Sequence, residues 1–140
     1  MIDRKRGRIL NVSSYVAARP TPYMSAYAAA KAALTSFSEG LSAALASHGI
    51  TAFTITPGLF RSALTEHLMT SEAGRRWLPE VGRGRWVEAE QVERLVRFVA
   101  SGRGDALTGR FLHALDDLDD LAARADEIVA DDLFAVRLRR

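Results

Sequence analysis

The sequence predicts an α/β fold built on a parallel sheet, and three observations predict it. Ile50-Thr51-Ala52-Phe53-Thr54-Ile55-Thr56 is uncharged and rich in β-branched residues, the pattern of a strand buried on both faces. Leu34, Phe37, Leu41 and Leu45 recur at spacings of 3, 4 and 4, which is one face of a helix. Strand-like and helix-like segments alternate along the chain, an order that favours right-handed crossovers and parallel pairing.

The first strand falls at Arg8-Ile9-Leu10-Asn11-Val12-Ser13, an apolar run after Gly7. Arg19-Pro20-Thr21-Pro22 is a loop, because two prolines this close disfavour both helix and central strand. The spacing predicts a helix from about Met24 to Ser47, with Ser25 as its cap and Gly49 at its end. Such a helix is roughly 35 Å long. Pro57-Gly58 stops the strand that follows. Residues 60–88 read as irregular, with short helices near Ser62–Thr70 and Ser71–Trp77. A helix over Ala89–Ala100 puts Val92, Leu95, Val96 and Val99 on one face. Gly102 and Gly104 break the chain, Gly109–His113 reads as one more strand, and Asp116–Leu133 as a final acidic helix.

With 140 residues the chain has room for one domain, and 48% hydrophobic with 26% charged residues is ordinary globular composition. The absence of cysteine excludes disulfides, a thiol nucleophile and Cys-based metal sites. Uncharged stretches fall short of the ~18 apolar residues of a membrane span. Met1-Ile2-Asp3-Arg4-Lys5-Arg6 has no apolar core behind its charges, so it does not read as a secretory signal, and a cytoplasmic setting is expected. Only Lys5 and Lys31 are lysines, which leaves 17 arginines in a net charge of +2. The basic clusters, Arg4/Lys5/Arg6/Arg8 and Arg137/Arg139/Arg140, read as solvated ends. Arginines interleaved with 17 acidic residues argue against a nucleic-acid binder. Asp116, Asp117, Asp119 and Asp120 lack the glycine and glutamate of a calcium loop and read as carboxylates at a helix N-terminus. His48, His67 and His113 show no metal-ligand spacing and read as surface or packing residues, so no metal is expected.

Tyr27-Ala28-Ala29-Ala30-Lys31 is the stretch that bears on chemistry. Tyr27 and Lys31 stand four apart and share a helix face. An ammonium close to a phenol favours the phenolate, and a phenol that can exchange its proton near neutral pH is a general acid or base. The pair alone is a weak signal, common on helix surfaces. Its company strengthens it: Ser14 ends the first strand 13 residues before Tyr27, and Pro57-Gly58 ends the next. Ligands of open α/β sheets bind at the carboxyl ends of strands.

Asn11-Val12-Ser13-Ser14, Tyr27-Ala28-Ala29-Ala30-Lys31-Ala32-Ala33-Leu34, and Gly49-Ile50-Thr51 leading to Pro57-Gly58-Leu59-Phe60-Arg61-Ser62 together resemble the short-chain dehydrogenases/reductases. The clear resemblance covers residues 7–62. It implies the last three strands, with flanking helices, of a Rossmann-like doubly wound parallel sheet. It implies an NAD(P)-dependent oxidoreductase that interconverts an alcohol and a carbonyl by hydride transfer. Ser14 would hold the substrate oxygen and Tyr27 would be the general acid or base. Lys31 would lower the Tyr27 pKa and bind the nicotinamide ribose. The backbone at Pro57, Gly58 and Phe60, with the Ser62 hydroxyl, would hold the nicotinamide end of NAD or NADP. The family usually has threonine at the Ser62 position; serine keeps the hydroxyl. Tyr15, Tyr23, Met24, Phe60, Leu64, Leu68, Met69, Trp77, Leu78 and Trp86 fall in regions that shape the family's substrate pocket, which hints at a hydrophobic alcohol or ketone. The family assembles through the Tyr27 helix into dimers or tetramers.

One departure is large. None of the ten glycines gives the family's G-x-x-x-G-x-G turn, and Gly102-Arg103-Gly104 lacks a glycine at Leu107. The expectation is therefore that residues 1–140 are the C-terminal part of a single NAD(P)-binding domain. About four β-α units, on the order of 120 residues, would precede it. A truncation and a misplaced start both fit. The first strand would then expose an apolar edge, and the isolated chain would bind the cofactor weakly or not at all. The competing reading is a non-catalytic remnant that serves as an interaction or dimerisation module.

Overall fold

The computed structural model describes residues 1–19, 21–77, 84 and 86–137. Pro20, Leu78, Gly82, Arg139 and Arg140 lie outside the described residues.

The sheet is built around β2 (Ile50–Thr56), buried along almost its whole length. β1 (Gly7–Val12) lies parallel to it on one side, with Leu10 opposite Phe53 and Val12 opposite Ile55. β5 (Phe111–His113) lies parallel on the other, with Thr56 opposite His113. Side chains alternate between the faces of a strand, and the two faces of β2 differ in kind. Phe53 and Ile55 enter the main core with Leu107, Leu112, Leu118, Leu121 and Ile128. Ala52, Thr54 and Thr56 form the opposite, small-residue face, also buried.

α1 (Ser25–Leu45) joins β1 to β2 and packs on that small-residue face. It starts at Met24, which makes no side-chain cap bond, so Ser25 is the first helical residue and not the cap. A short 3-10 turn, Ala46–His48, follows, and Gly49 closes it in the left-handed region at φ 63°. Of the Leu34/Phe37/Leu41/Leu45 face of α1, the three leucines are half-buried and none of the four is fully buried. Thr35, Ser38 and Ser42 are buried, and Phe37 is 59% exposed. The reason is steric and polar at once. Small residues let the helix approach the sheet closely. Each hydroxyl is satisfied by a carbonyl of its own helix: Thr35 donates to Lys31 O, Ser38 to Leu34 O and Ser42 to Glu39 O.

Between residues 59 and 88 the structure holds two paired two-residue strands, β3 (Leu59–Phe60) and β4 (Trp86–Val87), which sequence periodicity does not reveal. α2 (Ala63–Thr70) and α3 (Glu72–Trp77) lie between them, as expected. α4 (Ala89–Ser101) buries Leu95, Phe98 and Val99, while Val96 is 39% exposed. Phe98 thus takes the place expected of Val96. Gly102 ends α4 at φ 91°. The acidic C-terminal segment forms two helices in place of one, α5 (Leu118–Ala123) and α6 (Ala125–Ala130), divided at Arg124. Asp117 caps α5 by accepting the N–H groups of Asp119 and Asp120, the role its position suggested.

The basic ends are anchored as well as solvated. Arg8 pairs with Asp105 at 2.6 Å. Arg137 pairs with Asp132 and with Glu39 on α1. β1 pairs only with β2 among the described residues, and none of its residues is fully buried. Its outer edge has no partner strand among the described residues.

The hydroxyl-bearing buried residues of α1 give a direct test. Thr35→Val, which removes a buried hydroxyl but keeps the shape, should cost about 1 kcal/mol. Phe37→Ser should change stability by less than ~0.5 kcal/mol. Urea unfolding of both variants measures the difference; the reverse order would put Phe37, not Thr35, in the buried contact.

Candidate active site

The site begins where β1 ends. Ser14 is extended (φ −150°, ψ 152°) and caps the 3-10 turn Tyr15–Ala17, its Oγ accepting the Val16 N–H at 3.5 Å. α1 packs against this turn. Side-chain bonds from Ser13 and Asn11 set its register on β1. Ser13 Oγ lies 3.1 Å from Lys31 O and 3.0 Å from Thr35 Oγ1; Thr35 gives its proton to Lys31 O, so Ser13 gives its one proton either to that carbonyl or to Thr35. Asn11 Nδ2 donates to Ser38 Oγ at 2.9 Å.

That register brings Lys31 beside the end of β1, where its Nζ donates to the Val12 carbonyl at 2.9 Å. The N–H and C=O of one strand residue point to the same side, and successive residues alternate. The Ser13 N–H donates to Ile55 O on β2, so the Val12 carbonyl points to the outer edge. Lys31 therefore satisfies an edge carbonyl that no described strand reaches. One helical turn earlier, the Tyr27 ring lies 5.7 Å from the Lys31 ammonium and is 44% exposed. Tyr27 and Lys31 thus lie together beside the carboxyl end of β1, the end from which the chain runs on into Ser14.

The second part of the site follows β2. Gly58 turns the chain at φ 76°, and its N–H donates to Thr56 Oγ1 at 3.3 Å. A Cβ here would lie 2.7 Å from Val87 Cγ2 and 3.0 Å from the His113 ring, so both conformation and space require glycine. Phe60 lies in β3 and is exposed. Ser62 caps α2 in a reciprocal box: it accepts the Thr65 N–H at 3.3 Å, and its own N–H donates to Thr65 Oγ1 at 2.9 Å. Its hydroxyl is engaged with α2, not with Tyr27 or Lys31.

His113 belongs beside these residues, and the spacing of the three histidines did not reveal it. It is half-buried packing, as expected, but it packs at the carboxyl end of β5. Its Nδ1 accepts the Leu115 N–H at 2.9 Å, and its backbone N–H donates to Asp116 Oδ2 at 2.7 Å. Burial raises the Asp116 carboxyl above its ordinary value, and the bond from His113 acts the other way. The Tyr15 ring meets His113 edge-on, with centroids 6.3 Å apart. A cleft of about 280 Å³ opens here among Tyr15, Phe111, His113, Asp116 and Phe134. A larger hollow along α4 and residues 115–119 is lined mainly by charged side chains and touches none of Ser14, Tyr27 or Lys31. Of the aromatic residues expected near a pocket, Tyr23 and Trp77 meet at 4.3 Å, and Trp86 packs under Arg61. No group of three potential metal ligands occurs among the described residues, and no helix among them is long and apolar enough to cross a membrane.

A family model described as short chain dehydrogenase matches residues 1–73, more than half of the chain. The chain belongs to the short-chain dehydrogenases. Its similarity to 3-oxoacyl-(acyl-carrier-protein) reductase FabG of Haemophilus influenzae is 35% identity over 113 residues, covering 81% of this chain and 46% of that protein. A short chain dehydrogenase of Pseudocercospora fijiensis is 31% identical over 91% of this chain and 44% of its own. The structure of a gluconate 5-dehydrogenase from Burkholderia cenocepacia, in complex with NADP and tartrate, superposes with a TM-score of 0.68 at 31% identity. That match covers 80% of this chain and 44% of that one. This short-chain dehydrogenase chain therefore spans about half the length of the relatives it matches. The expected α/β architecture, a parallel sheet with flanking helices, agrees with these relatives.

Two substitutions probe the second part of the site. Gly58→Ala should cost at least ~1 kcal/mol, from positive φ and from overlap with Val87. Retained wild-type stability in a thermal melt would contradict the close packing. Asp116→Asn keeps the acceptor for His113 but removes the buried charge. A carboxyl raised in the folded state favours folding at low pH and loses that contribution as pH rises. The variant should therefore be the more stable at pH 7, by less than about 1 kcal/mol because the group is only half-buried. The two proteins should converge at pH 3, which urea midpoints across the range would show.

Proposed function

We propose that this chain is the C-terminal, catalytic part of an NAD(P)-dependent oxidoreductase that interconverts a small-molecule alcohol and carbonyl. The observation that carries the reading is the Lys31 ammonium over the Tyr27 ring, beside the carboxyl end of β1 from which the chain runs on into Ser14. Membership of the short-chain dehydrogenases and likeness to named reductases and dehydrogenases support it.

The residues present suit one end of a nicotinamide dinucleotide. Lys31 offers exposed ammonium protons, Tyr27 an exposed phenol, and Gly58 a backbone turn with no side chain. Lys31 would bind ribose hydroxyls, and Pro57, Gly58, Phe60 and Ser62 would flank the nicotinamide. No glycine-rich turn for the pyrophosphate exists in the sequence, so the chain alone should bind dinucleotide weakly. When bound, NAD or NADP supplies the hydride in reduction and accepts it in oxidation. Ser14 donates a hydrogen bond to the substrate oxygen. Tyr27 gives that oxygen its proton in reduction and takes it back in oxidation. Lys31 stabilises the negative charge left on the phenol oxygen, as a nearby cation does. A cytoplasmic setting and a homo-oligomeric whole protein complete the reading.

The chain joined behind the cofactor-binding half of a related reductase should reduce carbonyl substrates with NADH or NADPH. Tyr27→Phe should lower kcat by roughly 10²-fold or more. Activity that survives this substitution would remove Tyr27 from the mechanism. A folded fusion with no activity on a range of ketones would favour a non-catalytic role.

A further inference from the structure

His113 touches both halves of the site, and nothing in its sequence context marks it. Parallel pairing sets it opposite Thr56, the residue before Pro57-Gly58. Its ring closes on Gly58, where an added Cβ would come within 3.0 Å of Cε1 and 3.1 Å of Nε2. On another side it meets Tyr15, which directly follows Ser14, at 85° between ring planes. One short-range bond holds the ring and a second holds its backbone. The Leu115 N–H donates to Nδ1, and the His113 backbone N–H donates to the Asp116 carboxylate. The first bond requires Nδ1 without a proton, since a cationic imidazole accepts nothing.

We infer that His113 is a positioning residue that ties the Pro57-Gly58 turn to the turn following Ser14, so that one ring aligns the two halves of the site. It contacts neither substrate nor reacting atoms in this role. It acts by holding Gly58 on one side and Tyr15 on the other. The inference rests on the oxidoreductase reading only for its catalytic consequence; the alignment itself is a property of the fold. The wall it presents to Gly58 also explains why that turn tolerates no side chain on the side facing β5.

The test uses amide hydrogen exchange on the 140-residue chain, followed by NMR. His113→Ala should speed exchange at Gly58 and at Ala17, whose N–H donates to Ser14 O in the turn that Tyr15 opens, at least tenfold, while Phe53 at the centre of β2 stays within twofold. A uniform loss across all three would mean a merely structural role and overturn the inference. His113→Asn is the second variant, since its amide oxygen can replace Nδ1 as acceptor but does not reach Gly58. It should restore slow exchange at Leu115 and leave Gly58 fast. Wild-type exchange at Gly58 in both variants would equally overturn the inference. In the fused enzyme, His113→Ala should raise the KM for dinucleotide at least fivefold with kcat within twofold. If the fused wild type is inactive, the oxidoreductase reading fails, and the exchange measurements still decide the role of His113.

Discussion

The rest of the structure depends on a hydroxyl-lined contact between α1 and β1. Ser13 meets Thr35 and Lys31 O, and Asn11 meets Ser38, in a strip of small polar side chains. An apolar contact is non-directional and tolerates sliding, whereas hydrogen bonds between buried groups specify one register. A slip of α1 by one residue would strand Asn11 or Ser13 without a partner. The same register sets Lys31 against the Val12 carbonyl and Tyr27 one turn away. The chemistry of the site is thus fixed from behind, by residues that take no part in it.

The energetics divide by face. The α4–α6 side is a conventional apolar core, in which Leu95, Val99, Leu107 and Leu112 are fully buried and supply most of the driving force. The α1 side contributes less burial and more geometry. The ends are held by ion pairs that remain substantially exposed, such as Arg8–Asp105 and Arg137–Asp132, and such pairs add little stability each. They do place the C-terminal segment along β5, where the Phe111 N–H donates to Phe134 O at 2.8 Å. That contact forms one wall of the small cleft beside His113.

Much of this was legible in the residues, for identifiable reasons. β2 announced itself because a strand buried on both faces must be uncharged, and Gly49 and Pro57-Gly58 bound it sharply. Tyr27 and Lys31 were legible because four residues on a helix is a fixed geometry. The fully buried residues of α1 were not, because periodicity counts apolar residues and places serine and threonine outside. Here their hydroxyls bond to the helix's own carbonyls and go inside. β3 and β4 were hidden because two-residue strands carry no period. The division at Arg124 was hidden because the acidic segment reads as continuous helix while its backbone departs from helix at that residue (φ −104°, ψ 17°). His113 was missed because its partners, Gly58 and Tyr15, lie far away in sequence and meet it only through strand pairing.

The most direct measurement of the central claim is a double-mutant cycle on Asn11 and Ser38, read from urea unfolding of Asn11→Ala, Ser38→Ala and the double variant. If their bond fixes α1 on β1, each single change should cost about 1 kcal/mol, the net worth of one part-buried hydrogen bond, since Ser38 Oγ keeps its bond to Leu34 O when Asn11 is removed. The double variant should cost clearly less than the sum, with a coupling of about 1 kcal/mol. Additive losses, with coupling below ~0.3 kcal/mol, would mean that the helix is held by something else.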